Sequence, residues 1–496
     1  MLQGDVSPTS HPGDTGSSWI GNRDDRLSNL PDDILLDIVE RLEIPDAVRT
    51  SILSQRWKQI PAMLSEIGIT VRFFERAHDE SETSGDTVRA NATMLEATRS
   101  ILERRSATGL YTIHSMYLQF YLGDESTIPI GQTVAYAMAT HRICSAEFTI
   151  LTKVQVECND ADLLIQGGQF MSFVDACPNA FRGLTRLSIG YIMLDELEFL
   201  EVISICKRLE HLHLYRCNMT EFSLLEMEHP HLWKLEIIGC GFQKVHLKWL
   251  PKLIVLSFVY WTSQHYPFFL GYVPLLQSVC ITNVGFSLQK NLKLSQLLGE
   301  ASSSISELHL NFKCESIWVK PEGLKQFSVA FHKLRFVNLL NISEECDLNW
   351  TMFILQGSPN LEELCIMVQD HFCEMLGGVY RELHGFSEEK KDNGVIEWET
   401  SSGFKHTSLA VLRIVGFQAQ DKFMRYIKSV MEAAVNLKEI YLHEKTLCRG
   451  CRRRAQKTSM YPRTWRRKRS IRKEISKGMC SPVSIHFQRQ MRSANQ

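Results

Sequence analysis

Two hydrophobic rhythms divide this chain. Between Asp25 and Pro61 apolar residues recur three and four positions apart; later they alternate, and then return as a fixed triplet. In the first stretch Leu30-Pro31-Asp32-Asp33 reads as a helix start. Proline suits the first helical turn, and the two acids suit the positive end of the helix dipole. Ile34, Leu35, Ile38, Val39 and Leu42 then make one apolar stripe at helical spacing. Pro45-Asp46 starts a second helix with Ala47, Val48, Ile52 and Leu53 as its apolar set. Ser54 is placed to cap a third, carrying Trp57 and Ile60. So short a bundle cannot enclose a core that is stable alone. Its outward apolar residues mark a partner site, or the bundle closes the end of a larger domain; the pattern favours neither.

The second rhythm begins after a helix expected over 88–105, with Met94, Leu95, Thr98 and Leu102 close to one face. Met116/Leu118/Phe120 and Ala146/Phe148/Ile150 alternate as strands do. The stretch 131–142 between them supplies a crossover helix. A triplet L-x-x-L-x-L, with other aliphatics or Phe allowed, then starts at Leu184, Leu209, Leu232, Leu253, Leu276, Ile305, Leu334, Leu361, Leu409 and Leu437. The spacings are 25, 23, 21, 23, 29, 29, 27, 48 and 28 residues, mostly at the leucine-rich-repeat period. No single unit can bury its apolar side, so the units must stack into a curved solenoid with a continuous core. A globular α/β enzyme would not need the same signature ten times.

In such a stack the triplet points inward, and the positions between and beside its last two members line the concave face. Among those, His211, His213, Tyr215, Val255, Val259, His309, Arg413 and Tyr441 are the candidate substrate-binding residues. Polar and aromatic at one end and more apolar around Val255 and Val259, such a face suits protein binding.

The residues LPDDILLDIVERLEIPDAVRTSILSQRWK resemble an F-box of the plant type, with a Leu-Pro start and an L-S-x-R-W finish. The resemblance implies docking on the Skp-type adaptor of a cullin ubiquitin ligase, while the rest of the chain holds a substrate. It implies adaptor-facing or interface-shaping roles for Leu30, Pro31, Ile34, Leu35, Val48, Leu53 and Trp57, without separating the two. LKEIYLHEKTLCRGC, YPRTW and KGMCSPVSIHF resemble the FBD-type C-terminal region of plant F-box proteins, with 481–487 as a closing strand. The expected fold class is α/β: a small three-helix F-box, a leucine-rich-repeat solenoid and a C-terminal capping region. The expected divisions begin with a disordered tail over 1–23, the F-box over 24–65, and a linker and helix over 66–110. The solenoid follows over 111–405, with a polar insertion near 384–405. The final repeats and FBD-type cap take 406–487, and a tail 488–496.

Composition adds less. At 496 residues, 44% hydrophobic and 22% charged, the chain is long enough for a large core and ordinary in make-up. Fourteen scattered cysteines and no apolar leader suggest reduced thiols, so the expected location is nucleus and/or cytoplasm. No apolar run reaches membrane-spanning length. The net charge of −1 hides twelve Lys/Arg and no acid between Arg449 and Lys473, which leaves −13 for the remainder. This basic segment, with Tyr461 and Trp465 interleaved, fits a nuclear-import signal, a nucleic-acid patch or a solvated face.

Cys448-x-x-Cys451 near His443 has no second pair, with only distant Cys480 to help, so no metal and no cofactor are expected. No phosphate-binding loop, dinucleotide fingerprint, zinc-protease helix or nucleophile elbow occurs. The expected protein is therefore a non-catalytic, substrate-recognition subunit of a Skp-cullin-F-box ubiquitin ligase. Its partners would be the adaptor, through it a cullin, and a protein substrate the sequence does not name, with no membrane and no nucleic acid. The alternatives are a ligase-independent repeat scaffold and a basic-tail nucleic-acid binder.

Overall fold

A computed structural model describes residues 27, 29–54, 56–75, 84–107, 109, 112–123, 126–153, 159–220, 224–242, 244–261, 266, 268–283, 292–313, 317–323, 327–328, 330–369, 398, 403–445, 460–479 and 483–488. The helical start folds as α1 (Asp32–Glu40), α2 (Ile44–Arg49), a 3-10 turn (Thr50–Ile52) and α3 (Ile60–Met63). Trp57 lies just before α3 rather than inside it. Pro61 has no N–H to return to the Trp57 carbonyl, so a helix cannot run through. Ser54 still acts as read, its Oγ accepting the Trp57 N–H at 3.4 Å. Leu35, Val39, Ala47, Trp57, Ile60 and Leu64 close a small core separate from the main one.

The main body is one sheet of fourteen strands among the described residues, every pairing parallel. It begins with β1 (Glu66–Thr70), β2 (Thr112–Tyr121), β3 (Arg142–Leu151), β4 (Arg186–Gly190) and β6 (His211–Tyr215). Next come β9 (Lys234–Ile238), β11 (Val255–Trp261), β13 (Ser278–Asn283), β14 (Glu307–Asn311) and β15 (Phe336–Ile342). β16 (Glu363–Val368), β17 (Val411–Val415), β18 (Glu439–His443) and β19 (Ser484–Gln488) complete it. Ten of these strands carry the ten sequence triplets, and all thirty triplet side chains are at most 3% exposed. Alternation puts the residues between them on the opposite, open face.

The return segments vary. Helices α5 (Ile128–Thr140), α6 (Asp160–Ala176), α7 (Pro178–Gly183) and α8 (Glu196–Ile205) serve the first units. Asn159 and Asp195 close capping boxes at the starts of α6 and α8. In the middle units short strands replace helices: β8 (Leu224–Glu228), β10 (Lys244–Trp249) and β12 (Phe268–Tyr272) form a second parallel sheet. The pair β5 (Met193–Leu194) and β7 (Asn218–Met219) forms a third. Helices return as α9 (Leu294–Leu298), α10 (Met352–Gly357), α11 (Asp421–Ala433) and α12 (Trp465–Ile475).

The segment 66–110, expected as linker and helix, holds β1 as well as α4 (Ser84–Ala107). The bundle thus runs into the sheet within two residues of Leu64. Arg105 of α4 fastens the junction from inside. Its guanidinium is buried and donates to the carbonyls of Ala62 (2.9 Å), Leu64 and Thr112 (2.6 Å). Between units, buried histidines do similar work. His229 Nδ1 accepts the N–H groups of His231 and Leu232 at 3.2 and 3.1 Å, and Nε2 donates to the Cys206 carbonyl at 3.0 Å. His406 repeats the arrangement with Ser408, Leu409 and the Ser358 carbonyl.

At the far end β19 pairs with β18, and the Tyr461 hydroxyl donates to the carbonyls of Leu442 and Gln488 at 3.1 and 3.0 Å. Of the strand expected over 481–487, residues 481 and 482 lie outside the described residues, and the described strand runs over Ser484–Gln488. Trp398, the one described residue of the expected insertion before 403, donates from Nε1 to Gln356 Oε1 at 2.9 Å and packs on Phe353.

Candidate functional site

Two surfaces emerge, one on the bundle and one on the sheet. On the bundle, the seven adaptor candidates separate by burial. Pro31, Ile34 and Leu53 are exposed and Leu30 is half-buried, whereas Leu35 and Trp57 are fully buried in the small core. Leu35 and Trp57 therefore shape the bundle rather than face a partner: at the period of α1, Leu35 and Val39 take the inward stripe and Ile34 the flank. The Val48 side chain lies outside the described residues. The adaptor candidates do not include Ile52, which is 85% exposed beside Leu53 at 58%, or Leu27 and Leu42, also exposed. The signal was available, since the 3-10 turn places two bulky aliphatics with no helix beyond to cover them. A bundle this small carrying five exposed aliphatics has the make-up of a docking surface.

On the sheet, all eight candidates stand on the open face, each half-buried. Register sorts them into three columns. His211 and Val255 share the first. His213, His309, Arg413 and Tyr441 share the central one. Tyr215 and Val259 share the last. They do not converge on one point: β6 and β18 are eight strand steps apart, about 38 Å along the sheet. Two clusters result. Near β6, His211 Nε2 meets Glu236 Oε2 at 2.7 Å, Lys234 approaches the same carboxylate at 3.2 Å, and Ser188 Oγ meets His213 Nδ1 at 2.8 Å. The hydrogen bond from His211, with the Lys234 charge behind it, brings the Glu236 carboxyl down to about 2. Near β18, Arg413 binds Glu363 at 2.7 Å and lies 4.3 Å from the Tyr441 ring centroid, and Tyr441 stacks on His486 at 4.9 Å.

Every Lys, Arg and Glu of the three columns has an opposite or histidine partner within 4 Å. Glu147 meets Arg186, Glu307 meets His309 and Glu439 meets His486, besides the pairs above. The three cations of the floor, Arg186, Lys234 and Arg413, each face a carboxylate, while Glu307 and Glu439 face histidines. Burial raises Cys280 to about 11 and Cys365 to about 12, so neither central-column thiol is a nucleophile near neutral pH.

Cys448, Cys451 and Cys480 of the weighed metal site lie outside the described residues, and no metal-holding cluster occurs among the described ones. No described helix is long and apolar enough to cross a membrane. Of the basic segment, the described part is 460–473. Its helix α12 anchors through Ile471 and Ile475, leaving Trp465, Arg466, Arg467 and Arg469 in solvent.

A small bundle with bare aliphatics, fixed to a long repeat sheet with a polar open face, has the build of a repeat-built interaction protein. Comparison with known families is specific. An F-box domain matches residues 27–65, and the At1g61320/AtMIF1 leucine-rich-repeat domain matches 161–485. The chain belongs to this family of F-box proteins with leucine-rich repeats. The repeat match begins at 161, although the sheet already starts at β1. Among similar Arabidopsis thaliana proteins, F-box/LRR-repeat protein At3g26922 is 25% identical over 228 residues, 44% of this chain and 68% of that protein. Putative F-box/FBD/LRR-repeat protein At5g56810 is 24% identical over 359 residues, 68% of this chain and 74% of that protein. Putative F-box protein At1g67390 is 54% identical over 37 residues, 8% of each chain.

Proposed function

We propose that the chain is a substrate receptor of a Skp-cullin-F-box ubiquitin ligase. The observation that carries this is the bare aliphatic surface of the F-box, with Ile52 and Leu53 the most exposed of its described large aliphatic side chains. Aliphatics of that size are tolerated in water when a partner covers them. The open face of the sheet then holds a protein substrate, and the cap over 406–487 is of the FBD type named in relatives. The chain itself is non-catalytic. It raises the rate of ubiquitin transfer by holding a substrate lysine near the reactive thioester on another subunit. The basic face of α12 supports a location in the nucleus and/or cytoplasm.

The test is calorimetric titration of purified Skp-type adaptor into the full chain. Ile52→Asp/Leu53→Asp, both outside the small core, should weaken binding at least 100-fold with the thermal transition unmoved. Leu35→Asp should instead unfold the bundle. A folded parent chain that takes no adaptor ends the receptor reading in favour of a ligase-independent scaffold.

A further inference from the structure

The residue just beyond the fifth position of the sheet strands takes a left-handed backbone in unit after unit. Tyr191 (φ 56°), Arg216 (φ 49°), Gly239 (φ 63°), Tyr260 (φ 62°), Asn341 (φ 53°) and Gly416 (φ 81°) all occupy it, and Lys313 (φ 53°) follows one place later. Glycine and asparagine accept this conformation; tyrosine, arginine and lysine adopt it against a steric penalty. At Gly416 only glycine fits, because a Cβ would stand 1.9 Å from the Val368 carbonyl oxygen. The fold therefore favours glycine here, yet between β4 and β14 it carries bulky aromatic and basic residues. Strain retained against an available relief marks a functional constraint.

These side chains are organised. Arg216 lies over both Tyr191 (5.6 Å) and Tyr215 (5.8 Å), and the two rings pack edge to face at 5.3 Å. Lys313 lies 4.3 Å from the centroid of the Tyr260 ring and donates to a phenolic oxygen, that of Tyr260, at 2.7 Å. Arg216 is exposed, Tyr260 is 40% exposed, and no carboxylate of the described residues pairs with Arg216. On the floor, by contrast, each Arg and Lys of the three columns lies within 4 Å of a carboxylate. A guanidinium held between aromatic rings loses little freedom on binding and keeps N–H edges for a carboxylate.

We propose that this edge, from Tyr191 to Lys313, is where the substrate first engages, and that the occupant is an extended acidic peptide segment of a protein. The span from β4 to β14 is five strand steps, about 24 Å, the length of about seven extended residues. Arg216 and Lys313 sit near its two ends, Tyr191, Tyr215 and Tyr260 supply apolar contact between, and Gly239 leaves the middle low. The proposal rests on the receptor reading, and adaptor binding, measured on the same samples, keeps the two separable.

The experiment is selection of a random twelve-residue peptide phage library on the full chain, with its affinity for Skp-type adaptor measured separately. The most enriched peptide is then titrated by fluorescence anisotropy against the parent chain, Arg216→Gly and Tyr260→Gly. We expect selected peptides rich in Asp and Glu. Each glycine variant should lose at least tenfold in peptide affinity while its melting temperature stays level or rises, because glycine relieves the strain. Adaptor affinity should not change. A pool without acidic excess, glycine variants that bind as the parent does, or affinity lost only alongside a lowered melting temperature would each overturn the proposal. A parent chain that binds acidic peptides but no adaptor would sink the receptor reading while leaving the peptide site standing.

Discussion

The two bridging histidines, His229 and His406, hold the same place in different units and titrate the same way. Each Nδ1 accepts two backbone N–H groups, which requires an unprotonated ring, and burial pushes both side chains below the ordinary histidine range. The unfolded chain, titrating near pH 6.5, takes up protons that the folded chain resists. Their stabilisation is thus complete above about pH 6.5 and is lost as pH falls through that value toward the lower folded one. Burial lowers His213, His309 and His443 as well, so the slope is shared. Thermal unfolding followed from pH 8 to pH 5 should show a level melting temperature, then a decline; His229→Asn/His406→Asn should start lower and decline less. An acid slope as steep as the parent's would contradict this account.

At the scale of elements, the closing strand is the most exposed to test. β19 covers the edge of β18, and its Gln488 carbonyl shares the Tyr461 hydroxyl with Leu442. Without it β18 would present a row of unpaired backbone groups, a template for another chain. Deleting residues 484–488 should lower the melting temperature by several degrees and produce concentration-dependent association in light scattering.

Much of this architecture was legible beforehand, because the ten triplets are a packing demand: three inward side chains per strand at a fixed spacing leave no other parallel stack. The middle sheet was not, although Leu225/Met227 and Val245/Leu247 alternate, because a return segment of that length accepts either helix or strand. β1 was hidden likewise, its Ile67 and Ile69 too brief a run to stand out. On the bundle, the motif gave the composition of the surface but not its sides; only packing separates Ile34 and Leu53 from Leu35 and Trp57. The left-handed edge was illegible for a plainer reason. Tyr191, Arg216 and Tyr260 are residues that ordinarily avoid that conformation, so nothing in their identity announces it.

Across the whole molecule the decisive contact is at the junction. Arg105 satisfies three carbonyls, two from the end of the bundle and one from β2. Arg105→Met would leave them buried without donors, at about 1–3 kcal/mol each. Urea unfolding should therefore show a loss of about 3 kcal/mol or more, with bundle and sheet melting apart where the parent melts as one. Adaptor affinity should survive, since the small core does not include Arg105.

Because the F-box and the first strand are continuous, the sheet also works as a ruler. Each strand advances about 4.8 Å, so distance from the F-box is counted in units of the repeat. A cargo seated at Tyr191 of the β4 unit lies three steps, about 14 Å, from β1, and one seated at Tyr441 lies twelve steps, about 58 Å, away. Moving a binding residue by one unit shifts the cargo by a fixed increment without altering the dock. On the receptor role proposed above, a lineage of such chains would retune which lysine comes within reach by relocating a few side chains along the graduations.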